Sequence, residues 1–203
     1  MGHIRILLLA AFTLIAVMTS GGRALAAATP ISVSLVPPLE FPPEEFSTTG
    51  VRLSALWGRH HDMYGLDLGL LGNITEKDFV GIGLSGAFNY TQGTTRILGL
   101  QLAGLANINK EKTMIFGLQA ALGVNSNTAS STLVGIELAA ANIAPFTDVY
   151  GMQLGIYNKA LDVYGLQIGL VNVASSLHGV QIGLVNFNAK GPFSISPLIN
   201  VGF

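Results

Sequence analysis

The chain has 203 residues, a formal net charge of −1 and no cysteine; half of its residues are apolar and only 10% are charged. Soluble domains carry about 25% charged residues, so this composition favours a protein that meets a membrane. The absence of cysteine excludes disulfides, thiolate metal sites and a cysteine nucleophile, and the near-neutral charge lacks the basic surface that binds nucleic acid.

Residues 1–28 have the pattern of a secretory signal peptide. His3 and Arg5 precede an apolar run at 6–18, and the small-residue stretch ALAAA follows at 24–28. This order is typical of a cleaved signal, whereas a spanning helix needs about 20 apolar residues. An uncleaved anchor is the competing interpretation. Cleavage after Ala26 or Ala28 predicts export past the inner membrane of a bacterium.

Residues 29–50 differ from the rest of the chain. The stretch ISVSLVPPLEFPPEEF at 31–46 contains four prolines and three glutamates. Proline cannot donate to a strand ladder, so this segment makes a poor spanning strand. We expect a Pro-rich periplasmic lead-in or partial plug, with a plain extended linker as the alternative.

Residues 51–203 repeat one short word. VYGLQIGLVN at 163–172 returns as LHGVQIGLVN at 177–186, and the earlier copies are spaced 14 to 18 residues apart. After each aligned glycine, polar or small residues alternate with mostly aliphatic ones. Such alternation predicts β-strands, since glycine inside a helix costs about 1 kcal/mol. The aligned glycines are Gly65, Gly81, Gly99, Gly117, Gly135, Gly151, Gly165 and Gly179.

An asparagine closes each copy, seven or eight residues after the glycine. Asparagine tolerates left-handed backbone angles and bonds its own backbone, so we expect it at strand exits. Mostly polar segments then lead to the next copy. These asparagines are Asn73, Asn89, Asn107, Asn125, Asn142, Asn158, Asn172 and Asn186.

Two architectures fit this repeat. In a β-solenoid each copy is one coil, the aliphatic face fills the interior, and glutamines and asparagines stack in ladders; the near-identity of neighbouring copies favours it. In a transmembrane barrel each copy is one spanning strand and a turn, with the aliphatic face toward lipid and the small, polar face in the lumen. A spanning strand takes about 9–11 residues, which each copy with its flanks supplies.

We predict the barrel: an all-β, antiparallel transmembrane fold of about ten strands over residues 51–203, with the solenoid as the alternative. Strands at 51–59 and 193–203 flank the eight copies and give the even total that bacterial barrels show. Variable repeat lengths suit loops better than stacked coils. Phe203 ends the final strand, as in the assembly signal of outer-membrane barrels.

The barrel assigns positions to two sets of residues. Aromatic residues just before the aligned glycine form the predicted interfacial girdle: Tyr64, Phe116, Tyr150 and Tyr164. Polar residues two positions after it project into the lumen, and Arg52 has the parity to join them and offset one acid. The predicted lumen set is Arg52, Asp67, Gln101, Gln119, Glu137, Gln153, Gln167 and Gln181.

The repeat word resembles that of bacterial surface-repeat proteins, an uncharacterised family with tandem GLQIGLxN units and a GPxxxxPxINxGF ending. The matching residues are 165–172, 179–186 and 191–203. The resemblance implies a surface or outer-membrane location, and it implies no activity.

No pattern in the sequence predicts catalysis, a metal or a cofactor. Residues 59–62 read RHHD, but adjacent histidines on a strand point to opposite faces, so we interpret them as a polar turn. We predict an outer-membrane barrel with a structural or small-solute-permeability role. Its predicted partners are outer-membrane lipid and the barrel-assembly machinery, which would bind the C-terminal strand. The alternative is a secreted β-solenoid that acts as a surface-binding or adhesion protein.

Overall fold

The chain winds in one direction as coils of long and short β-strands. The computed structural model describes residues 28–43 and 45–203; the predicted signal peptide, up to residue 27, lies outside them. One coil shows the plan: a long strand, β11 (Thr113–Ala121), a two-residue corner at 122–123, and a short strand, β12 (Val124–Asn127). A turn at 128–130 then starts the next long strand, β13 (Ser131–Leu138). Each strand pairs in parallel with its equivalent in the next coil.

The same plan runs through most of the chain. The other long strands are β3 (Ser47–Ser54), β5 (Met63–Gly69), β7 (Phe79–Ser85), β9 (Thr95–Ala103) and β15 (Thr147–Leu154). The other short strands are β4 (Trp57–His60), β6 (Gly72–Thr75), β8 (Phe88–Thr91), β10 (Ala106–Asn109) and β14 (Ala141–Ile143). In the last coils the two kinds merge into β16 (Tyr157–Ile168) and β17 (Val171–Asn188).

The fold is a β-solenoid of about ten turns, so the predicted transmembrane barrel is wrong. Consecutive copies pair in parallel, Gly151 with Gly165 and Gly165 with Gly179, whereas neighbouring strands of the predicted barrel would be antiparallel. The word GLQIGLVN is not one straight strand. It contains the end of strand β16, the corner at Gly169 and Leu170, and the start of strand β17. Because the chain turns within the word, 14 residues are enough for one coil.

Glycine recurs because the backbone at the aligned position excludes a side chain. Gly165 has φ of 146°, inside continuous strand β16, and a Cβ there would lie 2.0 Å from the carbonyl oxygen of Gly151. Positive φ in this range is open essentially to glycine alone. The backbone therefore changes conformation at each such glycine without leaving the ladder, and coils can stack closely there.

The interior of the solenoid is largely polar, whereas the core of a typical soluble domain is apolar. The asparagines lie inside rather than at strand exits: each is at most 4% exposed, and each amide from Asn73 to Asn172 donates to the next one at 2.8–3.0 Å. A satisfied network of this kind removes the penalty of burying amides. The alternative prediction of a solenoid is therefore confirmed in its fold, but it is wrong about the enclosed face, because it placed the aliphatic residues in the interior.

One apolar stack does cross the interior, at the position two residues before the aligned glycine. Its members are at most 3% exposed and contact one another from coil to coil, which buries apolar area along the whole axis. They are Met63, Phe79, Ile97, Ile115, Leu133, Val149, Val163 and Leu177.

Both ends of the described solenoid carry an antiparallel strand. At the N-terminal end, β1 (Ala28–Val36) pairs in parallel with β3, and β2 (Leu39–Phe41) pairs antiparallel with β1. The segment predicted as a lead-in thus contributes a first strand to the sheet. At the other end, β18 (Ile195–Gly202) pairs antiparallel with β17. Strands of opposite direction end the parallel stacking at each side.

Candidate binding surface

The aliphatic residues of the repeat word lie on the outside of the coil. We call the positions one and three residues after the aligned glycine the first and second outer rows. Ile136 and Leu138, in β13, are 41% and 45% exposed, while Glu137 between them is fully buried. The first row is Leu66, Ile82, Leu100, Leu118, Ile136, Met152, Leu166 and Val180; the second is Leu68, Leu84, Leu102, Ala120, Leu138, Leu154, Ile168 and Ile182.

The apolar surface continues onto the corners between long and short strands, which together form the corner edge. Every residue in these corners is Gly, Ala, Leu or Ile, at 55–56, 70–71, 86–87, 104–105, 122–123, 139–140, 155–156 and 169–170. Leu122 is 79% exposed and Leu70 is 69% exposed. Contiguous apolar patches of several hundred Å² on a monomer mark interaction sites, and this one follows the length of the solenoid.

A shallow apolar groove lies where the outer rows meet the corner edge near the C-terminal end. The residues that line it include Gly155, Gly169, Gly183, Ile168 and Leu170. The side-chain direction of these glycines is toward the buried asparagines, because a Cβ added at Gly169 would lie 2.7 Å from Asn158 Nδ2. The groove is therefore shaped by the aliphatic side chains around it.

Charged residues collect on the opposite side, at the turns between one short strand and the next long strand. We call this the turn edge. It contains EKD at 76–78 and KEK at 110–112. The two edges therefore differ: the corner edge carries no charge, whereas the turn edge is charged at these two turns. Some other turns are uncharged, and the one at 144–146 exposes Phe146.

The residues predicted to line a lumen lie inside the coils. Arg52 and Asp67 form a buried ion pair: the Nε of Arg52 donates to Asp67 Oδ1 at 2.7 Å, and its Nη2 donates to Oδ2. Burial raises the pKa of Asp67, and the charge of Arg52 opposes that rise. Nearby, His60 Nδ1 lies 3.3 Å from Glu40 Oε2. Burial, with a smaller effect from the charge of Arg52, lowers the pKa of His60 to about 4.

The glutamines form a second ladder beside the asparagines. Gln181 donates to Gln167 at 2.7 Å, Gln167 donates to Gln153 at 2.6 Å, and Gln153 donates to Glu137 at 2.7 Å. Gln119 likewise donates to Gln101 at 2.7 Å. Side chains thus fill this part of the interior, and the arrangement provides packing rather than a channel.

Glu137 is the one acid within the run of glutamines from Gln101 to Gln181. Its hydrogen-bond partners are the amides of Gln153 and Asn127, at 2.7 and 3.1 Å. Burial raises the pKa of Glu137 to about 7, against a smaller lowering by the hydrogen bond from Gln153. Asn127 also donates to Gln119 Oε1 at 3.0 Å, so a single amide bridges the two oxygens at this point in the ladder.

Gly83 occupies the glutamine position in its coil and interrupts the ladder. A small cavity of about 10 Å³ is left there, lined by residues that include Asp67, Asn89 and Gln101. That volume holds about one water molecule.

The predicted aromatic girdle lies on the outside, but as part of a stack along the solenoid. The rings of Tyr150 and Tyr164 are parallel with centroids 4.8 Å apart, and Tyr164 stacks on His178 at 4.5 Å. Phe116 is exposed on the same row, and Tyr64 lies further toward the N-terminal end. Parallel coils place equivalent side chains one strand spacing apart, which explains the stacking. Phe203 is fully exposed beyond β18; its binding by assembly machinery stays a prediction.

Within the described part of the chain, no three His, Asp or Glu side chains come together as metal ligands. No helix in that part is long and apolar enough to cross a membrane. Comparison with protein-family models, with curated proteins and with solved structures finds no match. The parallel solenoid contradicts the predicted resemblance to barrel-like surface-repeat proteins, and no family is identified in its place.

Proposed function

We propose that this protein is an exported β-solenoid that acts by adhesion, binding an apolar surface with its outer rows and corner edge and carrying out no catalysis. The observation behind this proposal is the reversal of polarity between inside and outside. Asn, Gln and an ion pair occupy the interior, while Ile136 and Leu138 face outward. Apolar residues left outside in a regular array favour contact with another apolar phase, because burying each Å² contributes about 25 cal/mol.

The predicted signal peptide supports the export part of this proposal. A chain with this N-terminal pattern leaves the bacterial cytoplasm, and we propose the outer membrane as its destination. The Asn ladder supports the adhesive part, because a hydrogen-bonded interior fixes the coils and so holds the outer rows in register. The hydrogen-bonded interior thus keeps the proposed binding surface rigid.

Adsorption to polystyrene beads tests the proposal. We expect the mature chain to be depleted from solution by the beads, and the double variant Ile136→Glu/Ile168→Glu to adsorb at least about tenfold less, since both side chains are exposed in the outer rows and carboxylates oppose contact with an apolar phase. Ser130→Glu, on the turn edge, is the matched control and should adsorb like the unmodified chain.

The far-ultraviolet circular dichroism of each variant checks that the coils persist. Equal adsorption by the double variant and by Ser130→Glu would show that the outer rows are not the binding surface, and the proposed function would be wrong.

A further inference from the structure

We infer that the outer rows and corner edge bind a lipid layer, and that the corner edge inserts into it. This inference rests on the proposed adhesive function and identifies the lipid layer as the binding partner. The shape of the apolar surface is the first reason. This surface continues around the corner edge onto the short-strand side, where Ile74, Ile108 and Ile143 are part-exposed. The row is not uniformly apolar, because the equivalent positions of other coils are Arg59, Ser126 and Lys159. A rigid flat partner covers one side of an edge, whereas fluid acyl chains cover both.

Most backbone N–H groups at the corner edge already donate to a neighbouring coil, which is the second reason. Leu105 N donates to Ala87 O at 2.7 Å, and Leu170 N donates to Ile156 O at 2.9 Å. Equivalent bonds join the other corners, so the ladder follows the edge from coil to coil. Irregular backbone is excluded from hydrocarbon when its polar groups lack partners. Here entry into lipid leaves those corner N–H groups paired.

The distribution of charge is the third reason, and it sets the orientation. The corner edge is built from Gly, Ala, Leu and Ile, and the charged segments 76–78 and 110–112 lie on the turn edge. Insertion of apolar residues by about 5–10 Å is typical of proteins that lie on a membrane. The turn edge then stays in water. The corner residues themselves include no Lys or Arg, and only Arg59 and Lys159 lie beside them on the short-strand side. Attraction to anionic headgroups is therefore not the main force that holds the protein.

The length of the corner edge also suits a surface contact. Corner residues from Leu56 to Leu170 span seven coil steps, or about 34 Å at about 4.8 Å per strand. The edge would therefore rest along the membrane plane. Two solenoids packed face to face would cover the outer rows but leave Leu122, which is 79% exposed, in water. A second copy of the chain is the alternative binding partner in the test below.

Trp57 is the only tryptophan of the chain, and it begins β4 directly after the corner at 55–56. It is therefore a built-in probe of the corner edge. The experiment mixes the mature chain with phosphatidylcholine vesicles, with and without brominated acyl chains. We expect the protein to float with the vesicles, Trp57 emission to shift to the blue, and brominated lipid to quench it at least about twofold. Salt at about 0.5 M should not release the protein, because charge attraction is not the main force that holds it.

Two comparisons locate the inserted edge. Leu122→Glu/Leu170→Glu should reduce flotation at least about tenfold, while Ser130→Glu should float normally. In a Trp57→Phe/Ser130→Trp variant, the tryptophan on the turn edge should not be quenched. Quenching of the indole introduced at position 130, without quenching of Trp57 in the unmodified chain, would overturn the orientation and with it the inference.

The outcomes separate the lipid inference from the proposed function. If the chain does not float but sediments as a dimer that Ile136→Glu/Ile168→Glu dissociates, the occupant is a second copy, and the lipid inference fails while the adhesive function stands. If the chain neither floats, nor dimerises, nor adsorbs to polystyrene, both fail. The quenching of Trp57 in the unmodified chain keeps the test valid even if a corner variant does not fold.

Discussion

Replacing Gly165 by alanine is expected to lower the free energy of unfolding by about 3 kcal/mol or more. Gly165 has φ of 146°, and this conformation costs other residues about 1–3 kcal/mol. The new Cβ would also lie 2.0 Å from the carbonyl oxygen of Gly151. Because that oxygen belongs to the backbone of the neighbouring coil, the two coils must separate. Chemical denaturation followed by circular dichroism measures the loss.

Gly83→Ala is the matched control, because this glycine is also in a long strand but a methyl group there would press on the end of a side chain rather than on backbone. The nearest atom to a Cβ added at Gly83 is a ring carbon of Phe79 at 3.3 Å. We expect a change within about 1 kcal/mol, since replacing glycine at a compatible site is nearly neutral or stabilising. Equal stability of Gly165→Ala and Gly83→Ala would mean that the coils do not stack at the aligned glycine.

Replacing Glu137 by glutamine is expected to stabilise the protein by about 3 kcal/mol at pH 8. The pKa of Glu137 rises from 4.5 unfolded to about 7 folded because the carboxyl is buried. Each pKa unit corresponds to about 1.4 kcal/mol. The amide is neutral at all pH values and supplies the donor that completes the ladder toward Gln119. Urea denaturation at a series of pH values measures the difference.

The pH dependence follows from the direction of that shift. Below pH 4.5 the carboxyl is protonated in both states and contributes no difference. Between pH 4.5 and about 7 the folded state keeps the proton that the unfolded state has lost, so stability falls as the pH rises. Above about pH 7 the folded state carries a buried charge and the full loss remains. Glu137→Gln should match the unmodified chain at pH 4 and exceed it progressively up to pH 8.

Glu111→Gln is the control for this effect, because Glu111 is an exposed residue of the turn edge. Its stability relative to the unmodified chain should be nearly constant over the same pH range. A gain for Glu137→Gln that is equally large at pH 4 would indicate better packing rather than relief of a buried charge.

Much of the local structure could be predicted from alternation alone. The order Gly165, Leu166, Gln167, Ile168 indicates a strand with a small, polar face and an aliphatic face, and the structure has strand β16 there. The same alternation gave the parity of Gln167 and Ile168, which lie inside and outside the coil respectively. It also brought Arg52 to the enclosed side with Asp67.

The direction of pairing could not be read from that pattern. Alternation has the same period in parallel and antiparallel sheets, so it did not distinguish a coil from a hairpin. Two features decide the matter physically. The positive φ at Gly165 belongs to a backbone conformation that lets neighbouring coils stack closely there, and the pair Gly169 and Leu170 forms a corner with only two residues. The sequence shows glycine at both places, but it does not show the backbone conformation that requires glycine.

The identity of the enclosed face depended on hydrogen bonding between coils. A lone buried asparagine is costly, which argues against an interior position. Stacking at a fixed spacing reverses this, because Asn158 donates to Asn172 while accepting from Asn142. Each amide supplies the partner of the next, so the ladder exists only when neighbouring copies are in register. Single-strand reasoning at any one copy could not reveal it.

Distances along the second outer row test the solenoid most directly. Leu68, Leu102, Leu138 and Ile182 occupy equivalent outward positions, the last three in coils that are two, four and seven steps from the first. Because the chain has no cysteine, spin labels can be attached specifically at introduced cysteines in pairs. At about 4.8 Å per step, backbone separations from Leu68 should be about 10, 19 and 34 Å, which pulsed electron paramagnetic resonance can compare.

We expect the measured distance from residue 68 to grow steadily, in proportion to the number of coils, from 102 through 138 to 182. In a closed barrel, by contrast, the last strands lie next to the first. A label at 182 closer to 68 than the label at 138 would contradict the solenoid, and with it the outward apolar edge on which the binding proposals depend.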